Sequence, residues 1–426
     1  MTRAANRSAA LRVPGDKSIS HRALMLAALG RGPSRLRGLL QSADIESTAQ
    51  VLRDLGVNIP ALDDAEVIVE GQGLRGLRAP AGPLDCGNSG TTARMMAGIV
   101  AGAGLSATFT GDASLSRRPM RRVAAPLQAM GASVTLPEHG GLPMTLGGGA
   151  LRGITWRPEV ASAQIKSAVL LAGLVADVPV EVEEPAATRD HTERMLRARG
   201  VDLRVEGLSV ALNPRARLDA CDVDIPGDPS SAAFVAGLAA MGGVRGGALR
   251  AENVGINPAR LGGFRALRRI GAVIEHEDVT DQGGEPVATL VCSAATLRGI
   301  IIAPEEIPGL IDELPLLAAV AARAEGETRV TGAEELRVKE SDRIAAMVAG
   351  LRAVGADAEE LPDGFVVRGS DRPLRGRVVT HGDHRIAMAF GVLGALPGNA
   401  IEVDDPSCCA VSWPSFWDDL RALTRD

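Results

Sequence analysis

Apolar residues gather along the chain into six stretches that each open with polar residues and then remain apolar on nearly every side. This pattern predicts helices buried inside a domain, because a surface helix keeps one polar face. The stretches recur at intervals of roughly 70 residues, which indicates an internal repeat. Their first residues are Ser18, Ser89, Ser162, Pro229, Asp312 and His384.

A second, amphipathic helix recurs in step with the first and closes at a glycine. Glycine is favoured just after a helix because it adopts the positive φ of the C′ position without strain. The glycines are Gly56, Gly131, Gly200, Gly271 and Gly355, and the sixth copy is WDDLRALTRD. Short β-branched runs such as AEVIVEG and GFVVRG lie between the helices and predict strands. The repeated unit is therefore mixed α/β.

Six such units group most simply into two domains of three units each. The Pro-Gly steps at Pro14-Gly15 and Pro226-Gly227 are candidate points where the chain crosses between domains. We therefore expect one domain over residues 14–227 and a second, discontinuous domain over residues 1–13 and 228–426.

Composition excludes several classes of protein. The chain has 426 residues, of which 46% are hydrophobic and 23% are charged, as in a folded protein of two or three domains. Its net charge of -6 supplies no basic field to hold nucleic acid or an anionic membrane, and only 2% of its residues are aromatic. We expect no nucleic-acid partner and no membrane partner.

Cysteine usage and the N-terminal residues indicate a cytoplasmic protein. The five cysteines show no Cys-x-x-Cys or Cys/His spacing, so no metal site is expected, and their odd number favours a reducing compartment. Residues 1–13 contain no apolar core of a signal peptide, and no apolar run approaches the ~18 residues of a membrane span.

Polar residues at the starts of the buried helices suggest an anion site. A helix N-terminus presents unpaired N–H groups and the positive end of the helix dipole. For a single Ser or Asp, a helix cap is the ordinary explanation. Because six such starts recur in register, we predict that they face a common cleft that binds phosphate and carboxylate groups. The residues are Lys17, Ser18, Arg22, Asn88, Ser89, Gly90, Ser162, Gln164, Asp228, Ser230, Asp312, Glu313, Asp383, His384 and Arg385.

Lysine is rare, since the 46 basic residues include only Lys17, Lys166 and Lys339. An ammonium group can lose its proton near neutral pH in a suitable environment, whereas a guanidinium group cannot. A retained lysine therefore suggests a chemical role, which we expect for Lys17 and Lys339. For Lys166, a functional role and mere support of Gln164 both remain open.

Charged residues stand directly before one apolar helix in RVKESDRIAAM. If this segment is helical, Lys339 and Arg343 lie one turn apart on one face. Asp312 and Glu340 are carboxylates available for proton transfer in the predicted cleft. The arginines of SLSRRPMRR, among them Arg118, suit phosphate or carboxylate binding.

Nine segments of the chain match the blocks of a known family in the family's order. The sequence resembles the 5-enolpyruvylshikimate 3-phosphate synthases, also called 3-phosphoshikimate 1-carboxyvinyltransferases, and the matching blocks run from residue 13 to about residue 390. The blocks are PGDKSISHRALMLAAL, GNSGTTARMMAGI, RRPMRRVAAPL, SAQIKSAVLLAGL, RDHTERML, IPGDPSSAAF, IDELPLL, LRVKESDRI and HGDHRIAMAF.

The resemblance implies an α/β fold of two domains, each of three βαβαββ units, with the active site in the cleft between the domains. It implies transfer of the enolpyruvyl group of phosphoenolpyruvate to the 5-hydroxyl of shikimate 3-phosphate. Phosphate is released in this step of the shikimate pathway, which leads to chorismate and the aromatic amino acids. No cofactor and no metal are expected, and because the repeat supplies its own core we expect a monomer.

The resemblance also implies roles for individual residues. Asp312 would accept the 5-hydroxyl proton, Glu340 would protonate the methylene carbon of phosphoenolpyruvate, and Lys17 would assist the departure of phosphate. The residues implied for shikimate 3-phosphate are Lys17, Ser18, Arg22, Ser162, Gln164, Asp312 and Lys339. Those implied for phosphoenolpyruvate are Lys17, Gly90, Arg118, Gln164, Arg343 and Arg385.

Two other functions are alternatives. The UDP-N-acetylglucosamine enolpyruvyl transferases share the fold but usually carry a reactive cysteine on the loop that matches GDASLSRRPMRR, which has none here. A non-catalytic anion-binding homologue would keep the helix-start residues but lose its ionisable pair, and Asp312 and Glu340 are both present. Gly90 leaves room beside the small substrate, so the resemblance further implies inhibition by glyphosate in competition with phosphoenolpyruvate.

Overall fold

The computed structural model describes residues 9–213 and 217–424, and these divide into two compact units. The N-terminal unit contains the described residues of Gly15–Ile225 together with Gln282–Glu285. The C-terminal unit contains the described residues up to Pro14, Pro226–Asp281 and the described chain from Pro286 onward. Residues 1–8 and 425–426, which we placed in the discontinuous domain, lie outside the described residues.

Helices occupy both units. In the described chain they are α1 (Lys17–Leu29), α2 (Ala43–Asp54), α3 (Gly90–Gly102), α4 (Ala113–Arg117), α5 (Arg121–Ala129), α6 (Ala163–Ala176), α7 (His191–Arg197), α8 (Pro229–Ala240), α9 (Gly262–Ile270), α10 (Leu314–Ala321), α11 (Arg343–Ala353), α12 (His384–Gly394) and α13 (Phe416–Thr424). Short 3-10 helices cover Arg245–Gly247, Pro258–Arg260, Pro304–Gly309, Ile311–Glu313, Glu334–Val338 and Pro406–Val411. None of the described helices is both long and apolar enough to cross a membrane.

Strands are short. They are β1 (Ala9–Leu11), β2 (Arg31–Arg37), β3 (Glu66–Gln72), β4 (Leu84–Asp85), β5 (Ala107–Thr110), β6 (Ser133–Thr135), β7 (Met144–Gly147), β8 (Ile154–Trp156), β9 (Val180–Glu183), β10 (Leu203–Glu206), β11 (Ser209–Leu212), β12 (Val223–Asp224), β13 (Ala248–Gly255), β14 (Val273–Gln282), β15 (Glu285–Ser293), β16 (Ile301–Ile302), β17 (Glu327–Val330), β18 (Asp357–Leu361), β19 (Gly364–Arg368), β20 (Arg375–Val378) and β21 (Ala400–Val403).

Within the described residues, each unit contains three small sheets. In the N-terminal unit the strand orders are β12-β2-β3, β4-β5-β7-β6 and β10-β11-β9-β8. In the C-terminal unit they are β1-β13-β15-β14, β16-β17-β19-β18 and β20-β21. Every sheet has a parallel pair at one edge, for example β4 with β5 and β16 with β17. The mixed α/β repeat expected from the sequence is confirmed.

Each parallel pair of strands is accompanied by one buried helix. In four repeats the helix directly connects the two parallel strands, as α3 connects β4 to β5. In the other two repeats the parallel partner comes from a remote part of the chain, because β12 pairs with β2 and β1 pairs with β13. The two-residue strand β12 and the three-residue strand β1 thus supply the parallel edge strand of two repeats. In these repeats the described chain directly before the buried helix provides no such strand.

The buried helices begin close to the positions that the sequence predicted, where polar residues give way to apolar ones. Ser89 and Ser162 are the N-caps of α3 and α6, and α12 begins at His384 after its N-cap Asp383. One prediction is wrong: Asp312 does not begin an α-helix but lies in the 3-10 turn Ile311–Glu313, after which α10 starts at Leu314. Pro315 suits the first turn of α10, where its missing N–H leaves no intrahelical bond unmade.

The glycine prediction for the second set of helices is confirmed. α2, α5, α7, α9 and α11 are each followed by a glycine in the left-handed region. The φ angles of Gly56 and Gly355 are 90° and 91°, and that of Gly271 is 121°. A side chain at these positions would be strained, so glycine is what allows each helix to stop and the chain to turn into the next strand.

The core of the N-terminal unit depends on a close approach of α3 and α6. Gly98 of α3 faces the carbonyl oxygen of Ala168 so closely that a Cβ at Gly98 would lie 2.2 Å from that oxygen. Gly102, one turn later, faces Ala172 in the same way at 2.7 Å. Small residues on both helices therefore set the distance between them.

We predict that Gly98→Ala lowers the free energy of unfolding by about 1–3 kcal/mol, because the backbone oxygen of Ala168 cannot move away without separating α3 from α6. Gly82→Ala is the control, since a Cβ there meets no atom within 4 Å. Urea unfolding of both variants measures the difference. Equal stabilities of the two variants would contradict the close packing of α3 on α6.

Candidate active site

The site residues that the resemblance implies divide between the two units, and each set is treated as one cluster below. The cluster of the N-terminal unit, called the amino cluster below, consists of Lys17, Ser18, Arg22, Gly90, Arg118, Ser162 and Gln164. The cluster of the C-terminal unit, called the carboxyl cluster, consists of Asp312, Lys339, Glu340, Arg343 and Arg385.

The amino cluster is built on the first turns of α1, α3 and α6. Asp16, Ser89 and Ser162 are their N-caps, and the side chain of each accepts a backbone N–H of its own helix. Capping satisfies one of the four free N–H groups at each helix start and leaves others for a ligand. The positive ends of three helix dipoles therefore belong to the same unit as the predicted cations.

Arg22, which the resemblance implies as a ligand, donates a hydrogen bond from each of its three guanidinium nitrogens. Its Nε donates to Thr192 Oγ1 at 2.7 Å, and its Nη2 donates to Ser167 Oγ at 2.9 Å. Burial lowers the pKa of Arg22 to about 10, an effect that Glu193 and Asp16 oppose. Since its direct partners are hydroxyls and a backbone carbonyl, the charge of Arg22 has no carboxylate in contact with it among the hydrogen bonds observed.

Lys17 and Ser18 begin α1. Lys17 forms an ion pair with Asp44, which lies in the first turn of α2, and its side chain keeps 20% of its surface exposed. The Ser18 hydroxyl accepts from Arg189 Nη1 at 3.4 Å. Lys17 is therefore a cation at the surface of the unit rather than a core residue.

Gln164 links α6 to α3. Its Oε1 accepts from Arg94 Nη1 at 2.8 Å, and its Nε2 donates to Thr91 Oγ1 at 2.9 Å. Gly90 faces the same guanidinium, because a Cβ on Gly90 would lie 2.7 Å from Arg94 Nη1 and 3.6 Å from Arg118 Nη1. The absent side chain of Gly90 thus leaves both arginines next to the first turn of α3.

Arg118 is held by the residues that precede α3. Its Nη2 donates to Asn88 Oδ1 at 2.6 Å, and Asn88 Nδ2 donates to Asp112 Oδ2 at 2.6 Å. Asn88 therefore orients Arg118 toward the helix start without neutralising it.

Lys166, whose role the sequence left open, lies in the core. Its ammonium group is 2.7 Å from both Glu184 Oε2 and Glu193 Oε1, and all three side chains are at most 4% exposed. Lys166 therefore supports the fold around α6 and α7.

The carboxyl cluster is organised by Arg343, whose side chain is 1% exposed. Its Nε is 2.8 Å from Asp383 Oδ2, its Nη2 is 2.7 Å from Glu340 Oε2, and its Nη1 is 3.7 Å from Asp312 Oδ1. Burial by itself would lower the pKa of Arg343, but Asp383, Glu340 and Asp312 raise it above its ordinary value. Arg343 is a permanent cation that fixes three carboxylates.

Arg385 and Asp312 also meet in this cluster. Arg385 Nη1 donates to the Asp312 carbonyl oxygen at 2.8 Å, and Nη2 lies 4.0 Å from Asp312 Oδ2. The 3-10 turn that replaces the expected helix start thus presents both the carbonyl group and the carboxylate of Asp312 to Arg385.

The predicted helical pairing of Lys339 and Arg343 is wrong. Asp342 is the N-cap of α11 and accepts from Ala345 N–H, so Lys339 lies before the helix, in extended backbone. Burial lowers the pKa of Lys339 below its ordinary value and Arg343 adds to this, whereas Asp312 and Glu340 oppose it. An amine whose pKa is lowered this way is better able to exchange a proton than an exposed lysine.

The comparisons with known proteins identify the family of the chain. A family model described as EPSP synthase (3-phosphoshikimate 1-carboxyvinyltransferase) matches residues 2–420. The chain belongs to the EPSP synthase family.

Relatives of this family match nearly the whole chain. A 3-phosphoshikimate 1-carboxyvinyltransferase of Alkalilimnicola ehrlichii is 50% identical over 407 residues, which cover 95% of this chain and 91% of that protein. One of Acidithiobacillus ferrooxidans is 49% identical over 404 residues, covering 95% and 92%. A solved EPSP synthase structure from Acinetobacter baumannii superposes with a TM-score of 0.86 at 41% identity and covers 98% of this chain and 95% of that one.

Some other residues that contact the two clusters were not assigned a ligand from the sequence. Arg94 contacts Gln164, Arg189 contacts Ser18, and Asp383 contacts Arg343. A signal existed for Arg94, which lies four residues after Gly90 and therefore on the same face of α3. No spacing rule connects Arg189 to Ser18, because that contact forms only when α7 packs on α1.

We predict that Asp383→Asn lowers the free energy of unfolding by about 3 kcal/mol at pH 7, because the amide keeps the shape but removes a charge in contact with buried Arg343. Burial would raise the pKa of Asp383, yet Arg343 holds it below its ordinary value. The stabilisation is therefore present above the unfolded-state pKa of about 3.9 and is lost as the pH falls through the folded-state pKa.

Urea unfolding of the wild type and the variant between pH 7 and pH 3 tests this. The difference between the two stabilities should be largest at pH 7 and should shrink steadily as the pH falls below about 4. Asp418→Asn is the control, since the exposed pair of Asp418 with Arg421 contributes little. A constant difference down to pH 3 would show that the charge of Asp383 does not matter.

Proposed function

We propose that this chain transfers the enolpyruvyl group of phosphoenolpyruvate to the 5-hydroxyl of shikimate 3-phosphate and releases phosphate. The observation that carries this proposal is the 50% identity to a 3-phosphoshikimate 1-carboxyvinyltransferase over 95% of the chain. The two clusters support it, because they supply the cations and carboxylates that this reaction requires.

The amino cluster is suited to the anionic groups of both substrates. The residues of this unit that are proposed to bind phosphoenolpyruvate are Lys17, Gly90, Arg118 and Gln164. Two guanidinium groups, those of Arg94 and Arg118, adjoin the open first turn of α3. Guanidinium groups and helix N-termini both bind phosphate and carboxylate oxygens, so the cluster matches a substrate that carries both. Lys17, Ser18, Arg22, Ser162 and Gln164 are proposed to hold shikimate 3-phosphate.

The carboxyl cluster is suited to the proton transfers. Asp312 would accept the proton of the 5-hydroxyl while the hydroxyl oxygen attacks C2 of phosphoenolpyruvate. Glu340 would donate a proton to the methylene carbon. Loss of a proton from the resulting methyl group then restores the double bond as phosphate leaves, assisted by Lys17. Lys339 completes the proposed contacts to shikimate 3-phosphate, and Arg343 and Arg385 complete those to phosphoenolpyruvate.

We also propose that the protein acts in the cytoplasm as a monomer. All five cysteines are free thiols, as in a reducing compartment, and Cys86, Cys292 and Cys409 are buried where they pack as apolar residues. No nucleic-acid or membrane partner forms part of the proposal.

We predict that phosphate is released from phosphoenolpyruvate when shikimate 3-phosphate is the acceptor and that UDP-N-acetylglucosamine does not replace it. Asp312→Ala should lower kcat at least about a hundredfold, because the acceptor of the hydroxyl proton is lost. Asp357→Ala, at an exposed position of strand β18, is the control. Coupled phosphate detection measures all three proteins with both acceptors.

Turnover with UDP-N-acetylglucosamine alone would replace the proposed reaction with that of the other enolpyruvyl transferases. Absence of turnover with either acceptor would favour a non-catalytic anion-binding homologue. Full activity of Asp312→Ala would remove this residue from the proposed proton transfer.

We predict that glyphosate inhibits the enzyme in competition with phosphoenolpyruvate and that Gly90→Ala weakens the binding of both. A Cβ at Gly90 would displace the guanidinium group of Arg94. We expect this to remove one charge-assisted hydrogen bond to phosphoenolpyruvate and to raise its KM roughly tenfold. KM for shikimate 3-phosphate should change little, and Gly82→Ala should change neither constant. Inhibition constants in the millimolar range for the wild type would contradict the prediction.

A further inference from the structure

Four buried polar side chains form a hydrogen-bonded row that leads from the middle of α1 to the start of α3. His21 Nδ1 is 2.7 Å from Thr48 Oγ1, Thr48 Oγ1 is 2.6 Å from Thr92 Oγ1, and Thr92 Oγ1 is 2.8 Å from Ser89 Oγ. His21, Thr48 and Thr92 are fully buried and Ser89 is 1% exposed. We call this series the His21–Ser89 row. All four residues belong to the N-terminal unit.

The direction of every hydrogen bond in the row follows from counting protons. Thr92 donates its single hydroxyl proton to Ser89 Oγ. Thr48 must then be the donor to Thr92, and His21 Nδ1 must be the donor to Thr48, because each hydroxyl has only one proton to give. His21 therefore carries its proton on Nδ1 and has a lone pair on Nε2.

The surroundings of His21 agree with this assignment. Burial lowers the pKa of His21 well below its ordinary value, and the nearby charges of Lys17 and Arg22 lower it further, so the ring is neutral. Nε2 is buried and has no hydrogen-bond partner in the described chain. A neutral imidazole with one proton is what the proton count requires.

The other end of the row leaves one proton unused. Ser89 Oγ accepts from the backbone N–H of Thr92 at 3.1 Å as well as from the Thr92 hydroxyl, so both of its lone pairs are occupied. Its own proton must point elsewhere, and no described group accepts it. Because a buried donor without an acceptor is costly and rare in proteins, the arrangement points to a bound acceptor.

The groups beside Ser89 indicate which acceptor this is. Asn88 precedes it and holds Arg118, and Gly90 follows it and faces the guanidinium groups of Arg94 and Arg118. A group that meets two guanidinium ions, the start of α3 and a hydroxyl donor is an anionic oxygen of a phosphate or carboxylate.

We propose that Ser89 donates a hydrogen bond to an anionic oxygen of phosphoenolpyruvate and that His21, Thr48 and Thr92 are positioning residues that keep its proton directed toward this ligand. This inference rests on the proposed function. Capping of α3 needs only one lone pair of Ser89, so the cap alone does not require Thr48 or His21.

Two substitutions of Ser89 separate the donor from the cap. Ser89→Ala loses both the proton and the cap, whereas Ser89→Gly loses the proton but little capping free energy. Both should raise KM for phosphoenolpyruvate by roughly tenfold to a hundredfold, the loss expected for a hydrogen bond to a charged group, and leave kcat within about twofold. KM for shikimate 3-phosphate should stay unchanged.

Ser34→Ala is the matched control. Ser34 is fully buried in β2 and accepts the backbone N–H of Cys221, so this variant also removes a buried hydroxyl that accepts from the backbone. It should lose stability without changing KM for phosphoenolpyruvate. If Ser89→Ala raises KM and Ser89→Gly does not, the effect belongs to the cap and the donor role is overturned.

Coupling between variants tests the positioning residues. Thr48→Val should raise KM for phosphoenolpyruvate by several-fold in the wild type and should have no further effect in Ser89→Ala, since the row acts through the Ser89 proton. Additive effects of Thr48→Val and Ser89→Ala would overturn the row as a positioning device.

A measurement without substrates completes the test. Long-range ¹H–¹⁵N spectra of ¹⁵N-histidine protein at pH 7, with His21 assigned from His21→Gln, should show the Nδ1–H tautomer and a neutral ring. The Nε2–H tautomer would overturn the row. Failure of the wild type to release phosphate would defeat the proposed function, whereas wild-type turnover with unchanged KM in both Ser89 variants would defeat only this inference.

Discussion

Helices that are apolar on every side must be buried, but the amide groups of their first turns cannot be satisfied inside the helix. This constraint shapes both units. The caps of α1, α3, α6, α8 and α12 are Asp or Ser side chains, and each takes up one N–H group of its own helix. What remains at each helix start is a partial positive charge, so the same requirement that allows burial also produces sites for anions.

The charges of the buried cations are compensated in different ways in the two units. Arg343 contacts three carboxylates, which raise its pKa and cancel its charge locally. Arg22 contacts hydroxyls and a backbone carbonyl, and its pKa is lowered because burial outweighs more distant carboxylates. An anion that approaches Arg22 meets a charge that no contacting carboxylate compensates, whereas an anion that approaches Arg343 also meets three carboxylates.

The sequence allowed prediction of those features that depend on local periodicity. The six buried helices, the glycines that end their amphipathic partners and strands such as β3 and β19 follow from patterns within about 15 residues. Asp312 was misplaced because Pro315 permits α10 to begin only after a 3-10 turn. The pairing of Lys339 with Arg343 failed because Asp342 caps α11, and this excludes Lys339 from the helix. Strands β1 and β12 are too short to carry a periodic signal, and their pairing depends on remote parts of the chain.

The scarcity of lysine proved to be an incomplete guide to function, for a reason that the contacts make clear. Each of the three lysines lies close to carboxylates: Lys17 by Asp44, Lys166 between Glu184 and Glu193, and Lys339 near Asp312 and Glu340. A compact ammonium group fits between two carboxylates where a planar guanidinium would need more space, so packing alone can retain a lysine. Exposure separates the cases, because the side chain of Lys166 is 2% exposed and that of Lys17 is 20% exposed. A lysine can act on a ligand only when its ammonium group can reach one, and residue counts contain no information about reach.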